Sequence, residues 1–568
     1  MKAGLKLDQT QSYCAVNTDY APPERPLTSL LEETARNFPG APAFDFMGSK
    51  WRWDEVDRMA SRIAKGLQQK FRLQKGTRIG LCLPNTPYYL AAYYGILRAG
   101  GVVVNFNPLY AKREIAGHIA DSGVKIMFTL DLRLSYDKLL PLLDDKMLDS
   151  LIVCPFAKLL PLSKSWLFRI FKSRDTARVA YDKRQLSFKD LTGNDGNFSA
   201  VEIDPARDAA VIQYTGGTTG SPKAAVLTHR NLLTNTDQCA LWLGENARPG
   251  HDKMLGVIPF FHIFAMTAVM NMSVKLGLEI LALPRFDLAE TLKIIHRRRP
   301  QFFPAVPAIY SAIVNHHDLD RYDLSSVQTC IAGGAPLPEE VKRNFEAKTG
   351  CSLVEGYGLT EASPVLCCNP QGESNRPGTI GLPLPGTEIR LSGIESPETP
   401  VPQGERGELC ARGPQVMKGY WNREAETASV LSEDGWLRTG DVAVMDADGY
   451  YRIVDRIKDL IITNGYNVYP RNVEEDIYLH PDIAECVVGG VPHESRGEVV
   501  KAWVHLKSGS SLDEIALKEF LRDKLSPMEM PRRIEFRQEP LPKTLIGKLS
   551  RKALVDEEKG GPDTQSPA

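Results

Sequence analysis

The stretch 214–225, YTGGTTGSPKAA, decides how this sequence is interpreted. Apolar runs flank it: AAVIQ (209–213) predicts a strand, and AAVLTHRNLLTN (224–235) predicts a strand followed by a helix that Thr228 caps. Glycines let backbone N–H groups turn toward one centre, and hydroxyls add donors. The loop therefore suits an anion such as a phosphate, with Lys223 adding positive charge. A flexible linker is disfavoured because strands adjoin both ends.

A Walker A loop is excluded, because that motif reads G-x-x-x-x-G-K-[ST]. Here Ser221 and Pro222 separate Gly220 from Lys223, and Ala224 stands where the motif needs a hydroxyl. The loop is a phosphate-binding candidate of another kind.

Length and composition limit the class of protein. The 568-residue chain is too long for a single ordinary core, so we expect two or more domains. Hydrophobic residues make up 43% and charged residues 24%, which is typical of a soluble globular protein. The net charge of −1 predicts no nucleic-acid partner. The ten cysteines include no C-x-x-C pair, which indicates reduced thiols and a cytoplasmic protein.

Two segments bear on membrane insertion. The N-terminus, MKAGLKLDQTQSYC, lacks the apolar core of a secretory signal. Residues 254–274 carry no formal charge and are long enough to be considered as a membrane span. Because Pro259 and several polar residues interrupt this run, we interpret it as a buried strand, loop and helix.

Short apolar runs alternate with helical patterns, as in RIGLCLPN (78–85) and PYYLAAYYGILRAGG (87–101). This alternation predicts an α/β fold with largely parallel sheets. From Gly378 onward, short strands with turn signals predict a smaller β-rich unit. After Asp455 the pattern predicts a compact, mixed α/β piece of about 110 residues.

Further motifs follow the loop along the chain: IAGGAP (331–336), EGYGLTEASP (355–364), GELCARGPQVMKGYW (407–421), RTGD (438–441), YRIVDRIKDLIITNGYNVYPRNVE (451–474) and LPKTLIGKLSR (541–551). With YTGGTTGSPKAA, their order and spacing resemble the adenylate-forming, acyl-activating superfamily, and within it the bacterial-type long-chain fatty-acid–CoA ligases. The resemblance extends from about Leu27 to Leu554. It implies that ATP, Mg²⁺ and CoA are used. It also implies a large N-terminal domain (1–454) of two α/β subdomains plus a β-barrel-like unit, a hinge (455–459), a small mobile C-terminal α+β domain (460–554) and a disordered tail (555–568).

The resemblance also implies roles for individual residues. The β- and γ-phosphates of ATP would be held by Thr215, Gly216, Gly217, Thr218, Thr219, Gly220 and Lys223. Thr360 would contact the α-phosphate, and Glu361 would be a Mg²⁺ ligand. Adenine would lie against Gly333, Gly334, Ala335, Tyr357 and Gly358. Asp441 would accept hydrogen bonds from the ribose hydroxyls, and Arg456 would reach ribose or phosphate.

The C-terminal motifs imply a moving domain. Lys548 would be the catalytic lysine, bridging the carboxylate, the ribose oxygen and the α-phosphate during adenylation. Lys458 aligns with a hinge about which the small mobile domain turns between two half-reactions. Gly465 would let the pantetheine arm of CoA pass. Candidates for the CoA phosphates are Arg471, Arg496 and Lys501, although a solvated surface explains each equally well.

The resemblance implies an ATP-dependent ligase. It would activate a long- or medium-chain fatty acid as an acyl-adenylate, release pyrophosphate, then pass the acyl group to CoA and release AMP. His262, in IPFFHIFAMTAVMNM (258–272), would lie beside the substrate carboxylate, or is simply a core histidine. Alternatives are an aromatic-acid–CoA ligase, a fatty-acyl-AMP ligase that feeds a carrier protein, and a non-catalytic lipid-binding protein.

The segment 156–184 mixes eight Lys/Arg and two Asp/Glu residues with the apolar residues of SWLFRIF (165–171). This mixture fits a segment that lies on an anionic membrane surface. A basic, solvated helix packed on its own domain explains the pattern equally well. The first interpretation predicts peripheral contact with the inner face of the membrane.

Overall fold

The computed structural model describes residues 5–9, 12–17, 19–215, 223–243, 247–394, 396–463, 466–493, 496–543 and 549–559. Helices and strands alternate through most of the chain, which confirms the predicted α/β class. The strand, turn and helix predicted over 78–101 are present, since a strand covers Arg78–Cys82 and a helix covers Pro87–Arg98.

The strands follow one another in this order: β1 (Leu5–Asp8), β2 (Tyr13–Val16), β3 (Pro42–Phe46), β4 (Ser49–Arg52), β5 (Arg78–Cys82), β6 (Val102–Asn105), β7 (Ile126–Leu130), β8 (Ser150–Cys154), β9 (Gln185–Ser187), β10 (Ala209–Tyr214), β11 (Ala224–Thr228), β12 (Lys253–Gly256), β13 (Glu279–Ala282), β14 (Phe302–Ala305), β15 (Thr329–Ala332), β16 (Ser352–Gly358), β17 (Val365–Cys368), β18 (Leu382–Pro383), β19 (Glu388–Ser392), β20 (Gly407–Arg412), β21 (Gly419–Tyr420), β22 (Leu437–Met445), β23 (Tyr451–Arg456), β24 (Ile461–Thr463), β25 (Tyr466–Val468), β26 (Ile483–His493), β27 (Gly497–Leu506) and β28 (Arg533–Arg537).

The α-helices are α1 (Ser29–Asn37), α2 (Trp53–Phe71), α3 (Pro87–Arg98), α4 (Lys112–Ser122), α5 (Arg133–Asp144), α6 (Leu162–Phe171), α7 (Phe188–Thr192), α8 (His229–Leu243), α9 (Ile263–Ala265), α10 (Met272–Leu276), α11 (Leu288–Arg298), α12 (Pro307–Val314), α13 (Glu339–Thr349), α14 (Glu424–Val430), α15 (Pro470–Tyr478), α16 (Glu514–Leu521) and α17 (Arg551–Lys559). A π-helical turn (Met266–Asn271) joins α9 to α10.

The chain divides into two compact units, and the first comprises residues 1–6, 15–388 and 412–437. It contains an eight-stranded sheet in the order β21-β11-β10-β6-β5-β7-β8-β9 and a nine-stranded sheet in the order β18-β17-β16-β15-β14-β12-β13-β3-β4. The pairs from β10 to β9 and from β16 to β3 are parallel. The two predicted α/β subdomains correspond to these sheets.

The second unit comprises residues 7–14, 389–411 and 438–568. The predicted β-rich unit is a six-stranded sheet, β1-β2-β19-β20-β22-β23, which includes two N-terminal strands that the sequence did not reveal. A separate sheet, β25-β24-β27-β26 with β28 beside β27, carries α15 and α16 over a core that includes Val473, Val504 and Leu517. The domain boundary at 454 and the hinge at 455–459 stay predictions.

The predicted tail from 555 begins too early. Helix α17 continues to Lys559, because Leu554 is fully buried and Val555 packs against the same cluster as Trp503. Residues 560–568 lie outside the described part of the chain.

The uncharged run 254–274 is the predicted buried strand, loop and helix. It begins in β12 and continues through α9, the π-helical turn and the start of α10, and residues 263–274 are all buried. Among the residues that the structure describes, no helix combines the length and apolarity that crossing a bilayer requires.

Candidate active site

Three segments of the first unit leave the nine-stranded sheet at the same edge. They follow β12, β15 and β16, which run parallel, so their carboxyl ends lie together. Gly333 follows β15, and a methyl group there would lie 3.1 Å from the Phe264 ring and 3.5 Å from the Gly356 carbonyl oxygen. The structure therefore brings the predicted adenine segment 333–335 next to the segment after His262 and next to β16.

Residues 358–364 form a tight turn between β16 and β17. A methyl group at Gly358 would lie 2.0 Å from the Pro364 carbonyl oxygen, so only glycine fits there. The same oxygen accepts a hydrogen bond from the Leu359 N–H (3.0 Å). Thr360 and Glu361 lie in a single 3₁₀ turn (Thr360–Ala362) that this closure holds.

Glu361 is held by a tyrosine that the sequence analysis missed. The Tyr420 hydroxyl donates a hydrogen bond to Glu361 Oε1 (2.8 Å), and Lys223 Nζ lies 5.0 Å from the centre of the Tyr420 ring. Burial and the Glu361 charge raise the pKa of Tyr420, so its proton stays on the phenol. The only sequence signal was its place in the motif 407–421. Lys223, Tyr420 and Glu361, named here the Tyr420 cluster, join the loop 214–225 to the turn 358–364.

The predicted phosphate loop has a closed base. Tyr214 pairs with Ala224 across the antiparallel strands β10 and β11, and the Thr215 N–H donates to the Lys223 carbonyl oxygen (2.8 Å). Thr228 caps α8 as predicted, since its hydroxyl accepts from the Asn231 N–H (3.1 Å). The loop residues Gly216, Gly217, Thr218, Thr219 and Gly220 lie outside the described residues.

His262 is a half-buried, neutral histidine. Its Nδ1 accepts a hydrogen bond from the Phe264 N–H (3.3 Å), and burial lowers its pKa to about 4. Because one nitrogen of a neutral imidazole accepts, the other carries the proton, so Nε2 is a donor. Phe260 and Met266 nearby are fully buried.

The second unit contains the other predicted site residues. Asp441 on β22 pairs in register with Arg456 on β23, and Arg456 Nε lies 3.0 Å from Asp441 Oδ1. Lys458 lies in a 3₁₀ turn (Ile457–Asp459) directly after β23. Gly465 and Lys548 lie outside the described residues.

Two of the three residues predicted to bind the CoA phosphates form ion pairs with carboxylates of this chain. Arg471 pairs with Glu475, and the buried Lys501 pairs with both Glu535 and Glu558. Their charges are therefore engaged within the second unit.

A magnesium site fits Glu361 only with help from other ligands. Within the described ranges, no group of three or more His, Cys, Asp or Glu residues could hold a metal by itself. Mg²⁺ in proteins is commonly bound by one or two carboxylates together with substrate phosphates and water. Glu361, with one carboxylate oxygen bonded to Tyr420, matches that donor set.

Two family models match the chain: AMP-binding enzyme over residues 31–421, and AMP-binding enzyme C-terminal domain over residues 472–548. The long-chain-fatty-acid–CoA ligase of Bacillus subtilis (strain 168) is 44% identical over 94% of this chain and 95% of that protein. The ligase of the same name from Escherichia coli O6:H1 is 36% identical over 95% and 96%.

A crystal structure of ATP-bound MatB from Rhodopseudomonas palustris is similar with a TM-score of 0.81 and 27% identity, covering 94% of this chain and 99% of that one. The matching family model spans well over half of the sequence. The chain belongs to the AMP-binding enzyme family.

Proposed function

We propose that this protein is an ATP-dependent ligase that joins a long- or medium-chain fatty acid to CoA through an acyl-adenylate. The observation that carries the proposal is the Tyr420 cluster, which places a cation and an ordered carboxylate beside the base of the phosphate loop. The names of the two bacterial relatives support the acyl substrate.

The first half-reaction is adenylation. A carboxylate oxygen of the fatty acid bonds to the α-phosphorus of ATP, the bond from that phosphorus to the bridging oxygen breaks, and pyrophosphate leaves. Two anions meet in this step, so cations and oriented donors must offset their repulsion. We assign that role to the loop 215–220, Lys223, Thr360 and Lys548. Glu361 would hold Mg²⁺, which neutralises phosphate charge when bound.

Other residues would hold the substrates. We assign adenine to 333–335, Tyr357 and Gly358, and ribose to Asp441 and Arg456. His262 Nε2–H is a donor that suits the carboxylate of the acid, and the buried Phe260 and Met266 suit an apolar chain.

The second half-reaction is thioester formation. The CoA sulfur bonds to the acyl carbon, the bond from that carbon to the adenylate oxygen breaks, and AMP leaves. We assign the domain rotation between the steps to the hinge at Lys458, and passage of the pantetheine arm to Gly465.

Turnover with ATP, Mg²⁺, CoA and fatty acids from butanoate to octadecanoate tests this proposal. We expect AMP release and loss of free thiol to rise together, most strongly with long chains, and Lys548→Ala to abolish both. Adenylate without thiol loss would indicate a carrier-protein partner, and turnover with cinnamate or benzoate alone would indicate an aromatic-acid ligase. No AMP with any acid would leave a lipid-binding protein.

We also propose that α6 docks this enzyme on an anionic membrane. The helix packs on its unit through Phe168, whose ring lies 5.0 Å from that of Phe156. It exposes large apolar side chains, with exposed fractions of 92% for Leu162, 66% for Trp166, 46% for Leu167, 49% for Ile170 and 76% for Phe171. The segment 156–184 also contains eight lysines and arginines, whose charge would complement anionic headgroups.

Vesicle binding tests this contact. We expect the enzyme to sediment with vesicles that contain phosphatidylglycerol, and Trp166→Ser/Ile170→Ser/Phe171→Ser to abolish that sedimentation. Leu241→Ser/Leu479→Ser/Ile515→Ser is the matched control, because it removes exposed apolar side chains elsewhere. Equal sedimentation of both triple variants would refute the assignment to α6.

A further inference from the structure

The segment that carries Lys548 has a closed base within the second unit. Lys543 and Leu549 form an antiparallel bridge, and the Ser550 N–H donates to the Pro542 carbonyl oxygen (2.8 Å). Residues 544–548 lie between these two points and outside the described residues. Interactions that fix residues 541–543 and 549–551 therefore also fix the two ends of the segment that carries Lys548.

Glu485 on β26 holds the part of this base that precedes Lys548 in the chain, residues 541–543. Its Oε2 accepts the Leu541 N–H (2.8 Å), and its Oε1 lies 2.5 Å from Lys543 Nζ. The side chain is 19% exposed, so both interactions are partly shielded from water. A single carboxylate thus ties the backbone and a side chain of the same short stretch to one strand.

Arg551 holds the part of the base that follows Lys548 in the chain, residues 549–551. Its Nε donates to the Val488 carbonyl oxygen on β26 (2.6 Å), and its Nη atoms contact Asp459 and Glu474, each at 2.8 Å. This fork occupies three acceptors on three elements, which fixes the guanidinium in position and orientation. Leu541, Leu549 and Leu554 pack with Trp503 in a common cluster, so both sides of the base rest on the same core.

We infer that Glu485 and Arg551 are positioning residues for Lys548 in adenylation. The inference rests on the proposed function, in which Lys548 acts in the first half-reaction and not in the second. Neither residue needs to touch a substrate. Small displacements of a catalytic group cost large factors in rate, so loosening either side of the base should slow adenylation selectively.

The test separates the two half-reactions. Adenylation is measured as pyrophosphate release in a single turnover with ATP and hexadecanoate. Thioester formation is measured from supplied hexadecanoyl-adenylate and CoA. We expect Glu485→Ala and Arg551→Gln to slow adenylation about tenfold or more, and thioester formation less than twofold. Arg551→Lys keeps the charge but not the fork, and we expect an intermediate loss of adenylation.

Controls make the outcome decisive. Glu514→Gln breaks an exposed ion pair with Lys518 (2.6 Å) in the same unit, and we expect both rates to be unchanged. If Glu485→Ala fails to fold, Glu485→Gln carries the test, because its amide oxygen still accepts the Leu541 N–H. Equal losses in both half-reactions, or no loss, would overturn the inference. A wild-type enzyme that forms no adenylate would instead overturn the proposed function.

Discussion

At the scale of single residues, Tyr420 is a hydrogen-bond partner that the structure gives to the Glu361 carboxylate. Its hydroxyl donates a hydrogen bond to Glu361 Oε1, so Tyr420→Phe removes this donor from the carboxylate. A hydrogen bond to a charged group contributes about 1.5–3 kcal/mol, so we expect adenylation to fall by roughly 10- to 100-fold at subsaturating Mg²⁺. Pyrophosphate release measured against Mg²⁺ concentration checks this expectation.

The matched control is Tyr478→Phe in the second unit, where the hydroxyl accepts the Cys486 N–H (2.8 Å). That variant loses this hydrogen bond and the one that the hydroxyl donates to the Cys486 carbonyl oxygen (3.3 Å), but it should keep the wild-type Mg²⁺ dependence. If both variants shift the Mg²⁺ dependence alike, Tyr420 has no special connection to Glu361, the proposed Mg²⁺ ligand.

His118 is a second residue with a measurable signature. It stacks on Tyr214 (centroids 3.9 Å apart), is 4% exposed, and has no hydrogen-bond partner for either ring nitrogen among the described residues. Burial lowers its pKa to about 4. The unfolded chain binds a proton near pH 6.5 whereas the folded one does not, so stability is lost as pH falls from about 6.5 toward 4.

We therefore expect His118→Phe, which keeps the stacked ring, to be about 1–2 kcal/mol more stable than wild type at pH 5 and nearly unchanged at pH 8. Melting midpoints across this pH range provide the measurement. His317→Phe, at a site 83% exposed, is the control and should leave the acid-induced loss in place. A parallel pH dependence in His118→Phe and wild type would contradict the argument.

At the scale of elements, the turn 358–364 depends on one glycine. Gly358→Ala would place a methyl group 2.0 Å from a backbone oxygen that cannot move without β17. We expect the turn to shift and adenylation to fall by about 100-fold or more, because Thr360 and Glu361 move with it. Pyrophosphate release and the melting midpoint should be measured together.

Gly117→Ala on α4 is the control for that substitution. No atom lies within 4 Å of a methyl group there, and alanine favours a helix by about 1 kcal/mol over glycine. It should raise the melting midpoint and leave activity intact. Wild-type adenylation in Gly358→Ala would show that the turn tolerates displacement.

Elements with a strong local signal could be predicted from the sequence, and elements that depend on distant partners could not. Helix α3 could be predicted from its apolar run and from Gly100, which ends the pattern, and the structure adds that Thr86 caps the helix. Strands β1 and β2 are short, and they exist because they pair into a sheet with β19, nearly 400 residues later in the chain. The hydrogen bond from Tyr420 to Glu361 could not be predicted either, because spacing along the chain says nothing about a contact between residues 59 positions apart.

At the scale of the whole molecule, the resemblance predicted the family and class, whereas the division into units was harder to foresee. The contacts group 389–411 with the C-terminal part, although the sequence pattern placed them in the large domain. Alternating patterns report which face of a strand is buried but not which sheet it joins. The predicted boundary therefore needs a direct test.

The two hydrophobic clusters that include residues of β26 and β27 suggest that test, because their buried members all lie between Ile461 and Leu554. About 100 residues can bury enough apolar surface to fold independently. We expect a fragment of residues 460–559 to be monomeric and to melt cooperatively in circular dichroism. A fragment ending at 543 lacks Leu549 and Leu554, which close the cluster around Trp503, and should melt without cooperativity. If neither fragment is cooperative while the full chain is, residues before 460 are part of the same folding unit, and the predicted boundary is wrong.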